Sequence, residues 1–235
     1  MDQTSFKPRE IEILDEDGEK NSILPFYWTD IQPHPTEKGV VLVYGKVRSN
    51  LAVGNRNAYV SAQLMIKNVS RDVFFCLKKG ENIKDLLAEV KNIIQQKVKF
   101  MKDMEEVKIE YVKKKYAFEL PVDVDQDKYV DCIKASFSFK RVFKGEEIPY
   151  EGKFYKGFFG NSYTPIEHVI IEKMLKGPDW IAVQEYTITP LKDKISWCNL
   201  EITIDDFDDF MRLNIPEKEQ NEFPTPKMRC IFLNV

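Results

Sequence analysis

The chain has 235 residues, 43% of them hydrophobic and 31% charged, with a net charge of −3 and a pI near 5.6. That length supports one large domain or two small ones with a real core, and the composition is that of a folded, soluble protein. The acidic balance excludes a grip on nucleic acid by bulk charge alone and leaves only a local basic face.

Residues 1–24 read as a polar, acidic arm with one short strand around Ile11-Glu12-Ile13-Leu14, and the N-terminus has no signal-peptide pattern. No apolar run approaches the roughly 20 residues that cross a bilayer, so no membrane partner is expected. Phe26-Tyr27-Trp28 and Gly39 to Gly45 are β-prone segments joined through Pro33-His34-Pro35, which predicts an antiparallel pair. The second has too little alternation for a half-solvated strand. It should be buried on both faces, at the centre of a sheet. Arg48 to Asn57 has turn composition. Ala58 to Val69 alternates as a strand, and Arg71 to Leu77 follows as another.

From Asn82 to Val98 the period changes. Ile83, Leu86, Leu87, Val90, Ile93, Ile94 and Val98 share one helical face, with Lys84, Asp85, Glu89, Lys91, Gln95 and Gln96 opposite. Val107-Ile109-Tyr111, Tyr116 to Leu120 and Lys128 to Phe139 read as strands, and residues 140–163 as one long loop. A second helix is predicted from Thr164, with Pro165 first and Glu167 completing a capping box, to Lys176-Gly177-Pro178. Trp180 to Tyr186 and Trp197 to Ile204 are further strands. The order strand 71–77, helix 82–98, strand 106–112, strand 115–120 or 128–139, helix 164–176, strand 179–186 spells β-α-β-β-α-β. That predicts an α+β fold with a ferredoxin-like, RNA-recognition-like unit. Strands from 26–69 and 197–204 are left to form a small antiparallel sheet or barrel beside it.

No motif proposes a catalytic site. The four cysteines, Cys76, Cys132, Cys198 and Cys230, form no C-x-x-C pair and suit buried free thiols. Asp123-x-Asp125-x-Asp127 opens like a calcium loop but has Lys128 and Lys134 where glycine and glutamate are needed. Asp205-Asp206-Phe207-Asp208-Asp209 could hold magnesium, although acidic runs at strand ends are far more often plain surface. Lys156-Gly157-Phe158-Phe159-Gly160-Asn161-Ser162-Tyr163 partly matches an aromatic RNA-binding signature, against the simpler reading of an aromatic loop folded onto the core. The candidate phosphate contacts are Lys113, Lys114, Lys115, Lys140, Arg141, Lys144, Lys153 and Lys156, which would position nucleic acid without reading its sequence. Their alternative is solvation and edge protection. Tyr129, Phe137 and Phe139, if exposed on a sheet, would offer bases a stacking surface.

Several segments in one order carry a family resemblance: Phe26-Tyr27-Trp28-Thr29-Asp30, Val40 to Val47, Met65-Ile66-Lys67-Asn68-Val69, Lys115 to Pro121, Phe159-Gly160-Asn161 with Glu167, Lys176-Gly177-Pro178-x-Trp180, and Ser196-Trp197-Cys198. Together they resemble the amino-terminal domain of the catalytic subunits of DNA polymerase alpha, a class of family B replicative polymerases. The resemblance implies an arm over 1–24, a polymerase amino-terminal domain over 25–215, and over 216–235 a linker and first strand toward an exonuclease-like domain. It implies a non-catalytic, nuclear piece of a DNA-directed DNA polymerase, a nucleotidyltransferase. This piece would help shape the template path, with magnesium needed only in the parent's palm domain. DNA template and RNA–DNA primer would be met through the parent, and primase and the accessory subunit through parts outside this chain. Phe232-Leu233-Asn234-Val235 stands where proofreading relatives carry F-D-x-E, which fits a class without proofreading. A stand-alone single-stranded nucleic-acid module of the RNA-recognition type, or an interaction scaffold, is the alternative.

Overall fold

A computed structural model describes residues 7–14, 20–53, 56–99, 107–115, 129–213, 215 and 223–226. The fold is mixed α and β, mostly strands with two helices. In chain order the elements are β1 (Ile11–Leu14), β2 (Lys20–Pro33), β3 (Val41–Val53), β4 (Arg56–Ile66), β5 (Ser70–Leu77), α1 (Ile83–Lys97), β6 (Val98–Lys99), β7 (Lys108–Lys115) and β8 (Tyr129–Ser138). They continue with β9 (Val142–Phe143), β10 (Tyr155–Phe159), α2 (Pro165–Glu172), β11 (Asp179–Val183), β12 (Thr187–Ile188), β13 (Leu200–Ile204) and β14 (Phe210–Arg212). Two compact units result, one of Met1–Pro35, Val40–Asn68 and Val169–Val235, the other of Thr36–Gly39 and Val69–His168.

The first unit holds a sheet in the order β12-β13-β4-β3-β2-β11-β14, with β1 paired to β2. β3 is the middle strand, as its unbroken apolar run predicts, and Val41, Val43 and Val47 are fully buried. β2 bulges between Trp28 and Asp30 where it passes Gly45. A side chain at Gly45 would start 2.1 Å from the Tyr27 carbonyl oxygen, so only glycine allows this approach. Here two expectations are corrected. The strands left over from the ferredoxin-like reading make the larger sheet, not a small accessory. The segment around 179–186, expected to close the other unit, instead pairs with β2, Trp180 opposite Tyr27. Trp180-Ile181-Ala182-Val183 is buried throughout and fits a sheet interior better than an edge.

The second unit is an antiparallel sheet in the order β10-β5-β8-β7, with a two-stranded β6-β9 ribbon. α1 forms where the helical period predicts. Asn82 caps it by accepting the Lys84 N–H at 2.9 Å. Leu86, Val90 and Ile94 bury against Val73, Phe75, Ile133, Ala135 and Phe137. Burial of each large apolar side chain contributes about 1.5–3 kcal/mol. The opposite face carries Phe74, Cys76, Val130, Cys132 and Phe159. Residues 140–163, expected as loop, contain β9 and β10. Beyond β10 the chain turns at Gly160, whose φ is +86 and whose missing Cβ would lie 2.3 Å from the Asp72 carbonyl oxygen.

α2 begins as predicted. The Thr164 N–H donates to Glu167 Oε2 at 2.7 Å, and the Glu167 N–H donates to Thr164 Oγ1 at 3.2 Å. It ends earlier than Lys176-Gly177-Pro178 suggested. The Leu175 N–H reaches the Ile170 carbonyl, the Met174 N–H reaches Ile171, and Met174 takes φ 51. That is a Schellman ending with methionine in the left-handed position.

Candidate nucleic-acid interface

The eight basic residues singled out in the sequence do not form one cluster. Strand alternation sends neighbours on β7 to opposite faces. Lys113 points to solvent with its Nζ 4.0 Å from Asp131 Oδ1, while the Lys114 Nζ lies 4.6 Å from the centre of the Phe74 ring. Of Lys115 only the backbone is described, paired with Tyr129. Lys156 sits on β10 between Tyr155, which pairs with Leu77, and Gly157, which pairs with Cys76. The register therefore brings Lys113, Lys114, Lys115 and Lys156 to the Tyr129 end of the sheet. Lys153 lies just before β10 at that end, with its N–H on Glu89 Oε1 at 2.8 Å and its Nζ 4.8 Å from the Phe154 ring centre.

Lys140, Arg141 and Lys144 lie beyond the other end of β8. The Lys140 N–H donates to Ser138 Oγ and the Arg141 N–H to the Ser138 carbonyl. At roughly 3.3 Å per residue, the length of β8 puts about 30 Å between the two basic groups. Lys144 is engaged by Glu147 at 2.5 Å, and that hydrogen bond raises its pKa. Two of the three expected stacking aromatics are not open to a base. Phe137 packs in the α1 core and Phe139 is buried beneath the Arg71 guanidinium at 4.8 Å, so neither can stack on a base. Tyr129 is 58% exposed. In the Lys156–Tyr163 signature, Phe158 stacks on Phe75 and Phe159 on Phe74. The aromatics face the core, as the simpler reading expects, but from a strand.

The acidic run at 205–209 is divided among separate partners. Asp205 meets Lys67 at 3.2 Å, Asp208 meets Lys173 at 3.3 Å, and Asp206 caps the following turn through the Asp208 N–H. Desolvation and the neighbouring Asp206 raise the pKa of Asp209. These contacts give the run a structural role. The calcium-like motif at 123–127, the segment 116–121 and the terminal Phe232–Val235 fall outside the described residues.

One feature of the first unit was not singled out from the sequence. Tyr27, Pro178, Asp179, Trp180, Arg212 and Phe223, with neighbouring chain, line a groove of about 490 Å³. Trp180 meets Tyr27 edge-on at 5.3 Å, and its indole N–H donates to the Phe223 carbonyl at 3.1 Å. Arg212 is paired with Asp179 at 3.2 Å, and Arg48 lies over the Tyr59 and Phe223 rings. The groove joins positions as distant as 27 and 223, so no local pattern marks it.

The chain is 26% identical over 215 residues to the DNA polymerase alpha catalytic subunit of Mus musculus, which covers 83% of this chain and 14% of that protein. It is 25% identical over 221 residues to that of Oryza sativa subsp. japonica. It is 24% identical over 218 residues to the corresponding protein of Saccharomyces cerevisiae, covering 89% of this chain and 13% of that protein. The chain is similar to DNA polymerase alpha catalytic subunits from several organisms over most of its own length. It spans about 14% of the length of these relatives. No family model matches it.

The segments that resemble polymerase alpha occupy structurally exacting places. Phe26-Tyr27-Trp28 lies on β2 beside the bulge, and Val40 to Val47 supplies most of the central strand β3. Trp180 faces Tyr27. The Asn161 carbonyl accepts from Arg71 Nη1 at 2.9 Å, directly after the obligatory Gly160. Trp197 is the exception, with its side chain fully exposed.

Proposed function

We propose that this chain is a non-catalytic, amino-terminal-type part of a replicative DNA polymerase of the alpha class, acting in the nucleus. The observation that carries this reading is the collinear similarity to polymerase alpha catalytic subunits over about four-fifths of the chain. The resembling segments build the sheet interior and its tight turns, which is what a domain contributing shape requires. Nucleotide transfer, with its magnesium, is assigned to the palm of the parent, a nucleotidyltransferase extending RNA primers made by primase. Template and primer are met in that context, and primase and the accessory subunit through other parts of the parent. Residues 25–215 are assigned to this domain, with packing on an inactive exonuclease-like domain following it.

The sheet order β10-β5-β8-β7 with α1 on one face supports a ferredoxin-like variant in the second unit. In this variant β10 takes the fourth position and the second crossover lacks its helix. The burial of Phe137 and Phe139 favours the polymerase reading over a stand-alone RNA-recognition module that stacks bases on them.

The test is a titration of a labelled single-stranded oligonucleotide with the purified chain, together with a primer-extension assay on the same sample. The expected outcome is salt-sensitive binding with a dissociation constant on the order of micromolar or weaker and no nucleotide incorporation. Tight, sequence-selective RNA binding would support the stand-alone module instead. Incorporation by this chain would refute the non-catalytic assignment.

A further inference from the structure

Cys76 on β5 and Cys132 on β8 stand directly opposite one another in the antiparallel register. Their Sγ atoms are 3.4 Å apart, both side chains are fully buried, and both thiols are free. Opposed residues in such a pair have Cα atoms about 4.5–5.5 Å apart, inside the roughly 4.4–6.8 Å that a disulfide spans. The cross-strand spacing and the short Sγ–Sγ distance are thus compatible with a disulfide. The two thiols are also unequal. Cys132 has the Val130 carbonyl within 3.6 Å as an acceptor for its S–H. Its contact with Cys76 and the nearby Lys156 charge lower the pKa of Cys76, while the same contact and burial raise that of Cys132. Phe74 and Phe159 stack beside the pair at 4.9 Å, and Gly157, which pairs with Cys76, brings no side chain.

We infer that Cys76 and Cys132 form a redox-modification site, a cross-strand dithiol that closes to a disulfide when the protein meets a peroxide. In the first step the Cys76 thiolate attacks one peroxide oxygen. The O–O bond breaks, leaving a sulfenic acid on Cys76, and the departing hydroxide takes a proton and leaves as water. In the second step the Cys132 sulfur attacks the Cys76 sulfur. The S–S bond forms, the S–O bond breaks, and hydroxide leaves with the Cys132 proton as a second water. Two thiols are oxidised by two electrons and one peroxide is reduced to two waters. Both sulfurs are buried between the two inner strands, so a small peroxide reaches them through a transient opening of the sheet. The product ties β5 to β8 across 56 positions of chain, which restricts the unfolded state and stabilises the sheet.

The experiment treats the 235-residue chain with graded hydrogen peroxide, blocks remaining thiols by alkylation, and maps non-reduced peptides by mass spectrometry. A Cys76–Cys132 linked peptide should dominate every other pairing by at least about tenfold and vanish on dithiothreitol treatment. In urea the same treatment should give a mixture of pairings involving Cys198 and Cys230. The oxidised chain should melt at a higher temperature than the reduced one. Cys132→Ser should abolish the link while circular dichroism stays native, and trap Cys76 as a sulfenic acid reactive with dimedone. A statistical mixture of pairings in the native protein, or over-oxidation of Cys76 without a link to Cys132, would overturn the inference.

Discussion

Thr164 and Glu167 satisfy one another at the start of α2, backbone N–H to carboxylate at 2.7 Å and backbone N–H to hydroxyl at 3.2 Å. The Thr164 N–H, then its hydroxyl, holds the Glu167 carboxyl below its ordinary pKa. A lowered folded pKa gives stability that is complete above the unfolded value and lost as pH falls through the folded one. Thr164→Ala should cost about 1 kcal/mol in urea unfolding at pH 7. Glu167→Gln should cost less, and its difference from the parent should narrow as pH falls below the unfolded glutamate pKa of about 4.3. A gap that stays constant as pH falls through the acid range would show that the charge is not what the cap uses.

Gly160 and Gly80 share nearly the same positive φ, +86 and +87, but differ in surroundings. An added Cβ meets the Asp72 carbonyl at 2.3 Å at Gly160 and nothing within 4 Å at Gly80. Gly80→Ala should therefore cost only the left-handed backbone penalty of about 1–2 kcal/mol. Gly160→Ala should add a clash with the backbone and cost about 2–4 kcal/mol. Equal costs in chemical denaturation would mean that β5 and the Gly160 turn can move apart freely.

How much of this was legible in the sequence depends on where each signal resides. α1 could be read because its apolar stripe repeats locally and Asn82 caps it. β3 could be read because burial on both faces leaves no alternation. β10 was hidden for a related reason. Phe158 packs toward Phe75 and Phe159 toward Phe74, on opposite faces, and a register shift separates Tyr155 from Gly157. With an aromatic on each face, the sequence carries no apolar/polar alternation to mark the strand. The choice of β2 as partner for β11 is non-local, so the order of elements alone misassigned it. The lysines show a different limit of the sequence. Adjacency in sequence means opposite faces on a strand, so Lys113 and Lys114 lie on opposite sides of β7.

Tyr155 is buried in the α1 core with its hydroxyl donating to the Pro149 carbonyl at 2.7 Å, and burial pushes its pKa up to about 12. A raised folded pKa means that its stabilisation is full below the unfolded value of about 10 and is lost as pH climbs through the folded value. Tyr155→Phe should cost about 0.5–1.5 kcal/mol at pH 7 through the lost hydrogen bond. Between pH 10 and 12 the variant should lose less stability than the parent, and the two curves should converge. Parallel curves across that range would place the phenol in contact with water.

The separation of the basic residues into two groups makes the nucleic-acid reading quantitative. For single strands, each phosphate contact contributes about −0.7 to the slope of log K against log salt. Lys113 is 62% exposed on its side chain and its Nζ is 4.0 Å from Asp131, so it can reach a phosphate at little cost. Lys144 is held by Glu147 at 2.5 Å and must break that contact first. Lys113→Ala should therefore weaken oligonucleotide binding several-fold at low salt and flatten the slope by about 0.7. Lys144→Ala should change neither by more than about a third of that amount. A short strand of about four nucleotides, too short to bridge roughly 30 Å, should feel the first substitution as strongly as a long one does. If Lys144→Ala dominates instead, the strand runs past the Ser138 end of the sheet and not past the Lys113 end.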